Sequence, residues 1–355
     1  MKILQVIPNL GMGGAENMCE TLSGELALLH HEVTVISLYS HRTAISDRLI
    51  DSGVPVVFLD KKKGLDLSCV MRLRKYILQN KPDVIHTHLY ALKYVALATA
   101  GTSTRIVHTI HTRAEKESKK ADRRFNGFLY RHKKAVPVAL SGEIQKTVMN
   151  EYHLPAMDIP VVFNGVRLGK CVVKDVCTAH TPFVFVCVAR FSAVKAHDRL
   201  LRAFKTLSDE TDGVELWLIG DGELRNPIES QIDSLQLGDK VKLLGVQTDV
   251  FRYLTKADCF VLSSDYEGIP MTIIEAMGTG LPVVSTNVGG IPELITDGRE
   301  GILCACDENE LYAAMKRMFA DGEFRANCGK NALVKASRFS SEEMCRSYLE
   351  LYLKQ

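Results

Sequence analysis

Two carboxylates, Glu267 and Glu275, flank a Gly268-Ile269-Pro270 turn inside the segment Ser264 to Ser285. The fixed φ and missing N–H of Pro270 fit a first helical turn, so Gly268 and Pro270 hold Glu267 off the helix and in a loop. The free N–H groups near Met271 to Ile273 would then face an anion, and the helix dipole adds to the attraction. Glu275 falls later in the same helix. Because an ionised carboxylate is purely an acceptor, paired hydroxyls suit it, and one glutamate can reach a hexose while the other reaches a ribose. A diphosphate fits between them, which makes the arrangement suitable for a sugar nucleotide. The plainer alternative is an ordinary strand-loop-helix-strand unit in which both glutamates are surface charges and the glycines are caps.

Other segments offer matching chemistry. Arg190 and Lys195 share one strand-to-helix loop, where they could clamp a diphosphate, the Arg as a fork and the Lys as a point charge. Alternatively they are two solvated loop cations. Gly220-Asp221-Gly222 reads as a tight turn after a strand. The loop Leu244 to Asp249, with Val246 near its start, could read a nucleobase edge through its backbone, or be a simple turn. Asn287-Val-Gly-Gly-Ile-Pro-Glu293 repeats the small-residue turn and the Pro-led helix start.

These loops need elements to position them. From Lys2 to about Val162, short β-rich runs alternate with helical patterns: Ile3–Ile7, Val33–Leu38, Val54–Leu59, Val84–Thr87, Ile106–Ile110 and Val136–Leu140, with a helix from about Ala15. The rhythm repeats at Phe183–Val188, Val214–Ile219, Val241–Leu244, Cys259–Leu262 and Leu281–Ser285, with helices near Asp198–Leu207, Leu224–Leu235 and Glu275–Met277. Strands spaced by helices imply βαβ units and parallel sheets. The expected architecture is α/β, with two Rossmann-like, doubly wound domains facing an interdomain cleft. The expected domains are residues 1–170 and 171–340, linked by the polar stretch 167–181, with 341–355 a terminal helix that could cross back to the N-terminal domain. Ligands of such sheets gather at the carboxyl ends of the strands, where the motifs above fall.

Composition agrees with a soluble globular chain. At 355 residues, two domains are expected; 46% of residues are hydrophobic and 24% charged, and the net charge of +2 supplies no field that would select nucleic acid. The opening apolar run is too short for a signal peptide, and no run approaches a membrane span. The ten cysteines show no CxxC or zinc spacing, so reduced thiols in a cytoplasmic protein are expected.

Taken in order, Arg190…Lys195, Gly220-Asp-Gly222, Glu267-x7-Glu275 and Gly289-Gly-Ile-Pro-Glu-Leu294 resemble the retaining family 4 glycosyltransferases of GT-B fold, and the likeness covers essentially the whole chain. The resemblance implies that Arg190 and Lys195 bind the donor diphosphate. It places Glu267 at the donor hexose and Glu275 at the ribose, with backbone groups of Gly268, Ile269, Pro270, Met271 and Thr272 around the hexose and phosphates. It also implies a UDP-sugar donor, a glycan or polyisoprenyl-diphosphate-linked acceptor, no metal requirement, and a role in polysaccharide assembly of capsule or O-antigen type. Ala196 departs from the family, which often has Gly after the lysine.

In the N-terminal half, Gly11-Met-Gly-Gly-Ala-Glu-Asn17 is a poor dinucleotide fingerprint, because Glu16 stands where the third glycine belongs. It looks like the family's N-terminal loop, in which Gly13 and Gly14 let the backbone approach donor phosphates and acceptor. Glu16 points at the acceptor or stabilises the first helical turn. His86, His88, His108 and His111 invite a metal reading, yet no carboxylate or cysteine set accompanies them. The resemblance puts His111 beside the transferred sugar. The basic, aromatic stretch from Arg113 to Lys134 is either a solvated face or a surface for anionic membrane, the latter at the inner face of the plasma membrane. Competing activities are a GT-B sugar-nucleotide epimerase, which would need an additional acid/base pair, a nicotinamide dehydrogenase, and a non-catalytic nucleotide-sugar binding protein.

Overall fold

A computed structural model describes residues 1–11, 13–170 and 182–354. Among the described residues, twelve strands form two sheets. The first holds β1 (Lys2–Ile7), β2 (Glu32–Ser37), β3 (Val56–Phe58), β4 (Val84–His88), β5 (Arg105–Ile110) and β6 (Val136–Ala139) in the order β3-β2-β1-β4-β5-β6. The second holds β7 (Phe183–Val188), β8 (Val214–Ile219), β9 (Val241–Gly245), β10 (Cys259–Leu262), β11 (Val283–Thr286) and β12 (Gly301–Cys304) in the order β12-β11-β10-β7-β8-β9. All neighbouring strands are parallel. Both orders reverse direction beside the first strand, the doubly wound pattern whose switch points lie between β1 and β4 and between β7 and β10.

The chain divides into two units, Met1–Gly165 with Ser341–Gln355, and Val166–Ser340. The division at Gly165 falls short of residue 170, where the sequence placed it. The expected linker 167–181 lies outside the described residues from 171 onward.

Strand sequences explain the burial. All of Phe183–Val188 is buried, as a strand covered on both faces must be. In the first unit, period-2 alternation sorts side chains between two cores. Leu4 and Val6 join Ile85, Ile106 and Ile110 on one face, whereas Ile3 and Ile7 join Val84 and Val107 on the other. That second face is covered by Met344, Cys345, Tyr348, Leu351 and Tyr352 of the helix Ser341–Leu353, together with Met18, Leu22 and Leu26 of the helix Gly14–Leu28.

Several elements of the second unit were not foreseen in the sequence, a strand and two long helices among them. Strand β12 is only four residues long and starts on a glycine. The helices Glu308–Ala320 and Gly322–Ala336 carry Asp307 and Asp321 as N-caps, Asp307 accepting from two backbone N–H groups and Asp321 from one, a start signal present in the sequence but unread.

Candidate functional site

In the second unit the loops after β7 and β10, the two strands at the switch point, are stitched together. Asp265 donates its backbone N–H to Val194 O (2.8 Å), and Ser263 Oγ donates to Lys195 O and Ala196 O (2.9 and 3.0 Å). Arg199 donates to Ser263 O (2.8 Å) and pairs with Asp265 at 2.6 Å. This lacing brings Lys195 Nζ to 2.5 Å from Glu267 Oε1, and Ser264 Oγ donates to the same oxygen at 2.6 Å. Both bonds fall on Oε1. Glu267 is only 8% exposed, so its charge is held by these two donors in place of water.

The Glu267 loop is set from a third strand end. Gly290 N donates to Glu267 O at 3.1 Å, and a Cβ on Gly290 would stand 2.1 Å from Gly268 O. Beyond the turn, Pro270 is the extended N-cap residue of the helix Met271–Gly278, one position earlier than the first-turn place expected of it. Ile273 N is bonded to Pro270 O at 3.2 Å. This corrects the expectation of a free amide at Ile273; Met271 and Thr272 remain as the amides at the helix start. Glu275 is half-buried on this helix, and loss of hydration pushes its carboxyl up to about 7.

Arg190 follows β7 and is exposed, pairing with Glu223 at 3.0 Å. Its loop is fastened to the next one, since Phe191 N donates to Asp221 O and Leu224 N to Phe191 O, both at 3.0 Å. Gly220 has φ +140°, and a Cβ there would fall 2.0 Å from Ala189 O, so this glycine is required by the close approach of two backbones. Gly220 N also donates to Gly245 O at 2.9 Å, placing exposed Val246 one residue beyond this contact. Ala196 sits in the left-handed region at φ 45°, ψ 48°, which explains why a glycine would suit that position.

In the first unit, Gly13 is the extended N-cap of the helix Gly14–Leu28, and a Cβ on Gly14 would meet nothing within 4 Å. Glu16 lies in the first turn, half-buried, with its carboxyl raised by loss of hydration. The histidines separate by strand alternation. His108 faces one side of the sheet, bonded to Thr87 Oγ1 (2.6 Å) and Glu117 Oε1 (3.1 Å). His86 faces the other, between Tyr352 OH and Thr109 Oγ1, each at 2.7 Å. His88 lies between Gln5 Oε1 (2.9 Å) and His111 Nε2 (3.0 Å). Among the described residues, no group of three or more His, Cys, Asp or Glu side chains is arranged to hold a metal ion.

Known families and solved structures resemble this chain in sequence and in fold. Residues 174–334 match the family described as Glycosyl transferases group 1, and residues 12–170 match Glycosyltransferase Family 4. The chain is a family 4 glycosyltransferase. It is 26% identical over 371 residues to N-acetyl-alpha-D-glucosaminyl L-malate synthase of Bacillus anthracis, covering 96% of this chain and 94% of that one. It is 28% identical over 316 residues to UDP-Gal:alpha-D-GlcNAc-diphosphoundecaprenol alpha-1,3-galactosyltransferase of Escherichia coli, covering 81% and 80%. Its fold is similar to that of HepE of Anabaena, solved in complex with UDP, with a TM-score of 0.87 at 22% identity over 99% of both chains. The glycosyltransferase therefore has the GT-B fold that its motifs imply.

The structure of the glycosyltransferase also adds Ser263, Arg199 and Gln5 to the residues that its motifs singled out. Ser263, Ser264, Arg199 and Gly290 hold the Lys195–Glu267 pair, and Gln5 and His88 hold His111. Ser263 and Ser264 directly follow β10 and precede the Glu267 turn, a position at the strand's carboxyl end that could have drawn attention to them.

Proposed function

We propose that the protein is a retaining hexosyltransferase that uses a UDP-sugar and a glycan or polyisoprenyl-diphosphate-linked acceptor in cell-surface polysaccharide assembly. The observation that carries the reading is the Lys195–Glu267 pair at the carboxyl ends of β7 and β10, a cation and a carboxylate held side by side at a switch point. A diphosphate takes the ammonium and sugar hydroxyls take the carboxylate, so a donor separates the two partners and satisfies both. The donor diphosphate of UDP and the lipid-linked acceptor are the classes named for the HepE complex and the Escherichia coli relative.

In the reaction, the bond from the anomeric carbon to the β-phosphate oxygen breaks as the acceptor oxygen bonds to that carbon on the same face. The acceptor proton passes to the leaving phosphate. Negative charge grows on the diphosphate, where Lys195, Arg190 and the amides of Met271 and Thr272 stabilise it. Glu267 orients the sugar, Glu275 accepts from the ribose, and His111 lines the sugar. Gly13 and Gly14 admit the donor phosphates, and Glu16 serves the acceptor side. Gly220 and Val246 carry the loops at the nucleotide. This chemistry needs no metal, so activity should persist in chelator.

The protein would work on the cytoplasmic side of the membrane. The helix Lys120–Arg131 exposes Lys120, Arg124, Phe128 and Arg131 along one stripe, a pattern of cations around an aromatic that suits anionic headgroups. No helix among the described residues is long and apolar enough to cross a membrane. The deciding experiment incubates the purified protein with a panel of UDP- and GDP-sugars and an undecaprenyl-diphosphate-linked acceptor. NMR of the product should show the donor's anomeric configuration retained; an inverted product, or turnover of donor to a free epimer without acceptor, would refute the reading.

A further inference from the structure

A cavity of about 250 Å³ opens beside the amino end of β12, at the edge of the second sheet opposite the Lys195–Glu267 loops. One wall is the turn that enters the strand. Gly298, in the left-handed region at φ +74°, closes this turn by donating its N–H to Gly301 O at 2.8 Å. The turn leaves Thr296 and Arg299 exposed, while Glu300 is only 2% exposed. The other wall is the end of the helix Gly322–Ala336 and the 3₁₀ turn Ser337–Phe339 that continues it. Asn331, Lys335 and Arg338 line the cavity from positions i, i+4 and i+7, the spacing that stacks side chains along one helix face.

Internal bonds occupy the single carboxylate. Glu300 Oε2 accepts from Thr296 N at 2.7 Å and from Lys335 Nζ at 3.2 Å, and Arg299 Nε lies 3.4 Å from Oε1. Lys335 also donates to Thr296 Oγ1 at 3.1 Å, and Asn331 Nδ2 donates to Arg299 O at 2.9 Å. A surplus of donors remains: the third ammonium proton of Lys335, the Thr296 hydroxyl proton, the terminal nitrogens of Arg299 and the whole Arg338 guanidinium. Arg338 is exposed and has no carboxylate partner among the described residues. Three cations line the cavity against one carboxylate, an excess of two positive charges. That excess outweighs the partial negative charge of the helix C-terminus, so the cavity repels metal ions and attracts oxyanions.

We propose that this cavity binds the phosphoryl group of a free phosphate monoester, at a site that does not depend on the glycosyl-transfer reading. The forks of Arg299 and Arg338 match phosphate oxygens bidentately, and Lys335 adds a point charge. A phosphate monoester carries about −1.5 to −2 near pH 7 and so balances the excess, which a lone carboxylate meets only by half. The volume lies just below the range of about 300–1,000 Å³ usual for small-molecule sites, which suits a phosphoryl group on a small alcohol. Val334, 76% exposed at the same wall, offers the alcohol an apolar contact.

Glycerol 3-phosphate is the probe, titrated calorimetrically into the full chain at low salt. The wild type should bind it at one site, and Lys195→Ala, which removes the other proposed phosphate contact, should bind it equally well. Arg338→Glu should weaken binding at least about tenfold, and Arg338→Lys, which keeps the charge and loses the fork, about threefold. Arg299→Gln should weaken it as well, a second variant on the opposite wall should Arg338→Glu fail to fold. Absence of binding up to about 10 mM overturns the proposal, as does affinity unchanged in Arg338→Glu and Arg299→Gln or lost in Lys195→Ala. Phosphatidate vesicles that sediment the wild type but not Arg338→Glu, when glycerol 3-phosphate does not bind, transfer the site to a lipid headgroup and overturn the free ester.

Discussion

Lys195 and Glu267 stand 72 residues apart in sequence, yet Nζ and Oε1 lie 2.5 Å from each other, with Ser264 sharing the same carboxylate oxygen. Under the proposed function, a bound donor would take the place of this internal partnership. Lys195→Ala and Glu267→Ala should each lower kcat/KM by about 10²-fold or more, the scale expected when a preorganised charge is removed from a developing anion or its sugar. Ser264→Ala should cost less, about tenfold. In steady-state kinetics, the Lys195/Glu267 double mutant should lose less than the product of the two single losses, because each single change strands the other charge.

Under the proposed function, Glu275 would link donor binding to pH. Its folded pKa of about 7 lies above the ordinary 4.5, so the native state holds a proton that the unfolded chain releases. Stability contributed by this group is therefore greatest below pH 4.5, falls as pH rises toward 7 and is flat above; the full loss is up to about 3 kcal/mol. Denaturant titrations at pH 8 should show Glu275→Gln more stable than wild type. The same variant should bind UDP-sugar more weakly, since the amide replaces an anionic acceptor.

Gly290 tests whether a neighbouring loop holds Glu267 in place. Gly290→Ala drives a Cβ against the Gly268 carbonyl and should destabilise the protein by about 1–3 kcal/mol, as overpacking does. Transfer activity should fall further than the stability loss alone would cause, because the Glu267 backbone moves with Gly268. Thermal denaturation and kcat measured on the same preparation separate the two effects.

Ala196 should respond in the opposite sense. Its left-handed backbone costs a side-chain-bearing residue about 1–2 kcal/mol, and the added freedom of glycine in the unfolded chain returns part of the relief. Ala196→Gly should raise stability by about 1 kcal/mol with little change in kcat, whereas Ala196→Val should lower stability and disturb the Lys195 loop.

The basic helix gives a prediction separable from catalysis. Vesicles containing anionic lipid should sediment the wild type at low salt and release it at high salt, and Arg124→Glu with Phe128→Ser should abolish binding. Sedimentation unaffected by the double change would remove the membrane role while leaving activity on soluble acceptors untouched.

The sequence was most legible where residue type alone determines the element. Apolar runs such as Phe183–Val188 could only be doubly covered strands, and Pro270 marked a helix start to within a residue. The Lys195–Glu267 contact was not legible, because it depends on β10 lying beside β7, and strand order is a property of the assembled sheet. The placing of the histidines also became clear only in the sheet. His86-Thr-His88 and His108 look like one cluster in the sequence, yet alternation sends His108 to the opposite face with Glu117. β12 escaped because Gly301 reads as a breaker, whereas the sheet needs it: a Cβ there would strike Val283 O at 1.9 Å.

The helix Ser341–Leu353 completes a core whose strands are made more than two hundred residues earlier. During synthesis, the first sheet must wait with one oily face unsealed, and with His86 and Thr109 lacking their tyrosine partners, until the last turns leave the ribosome. Val166–Ser340, made before that helix, forms a compact unit of its own. A stalled or truncated product should present to chaperones the apolar surface that Tyr348, Leu351 and Tyr352 would have closed.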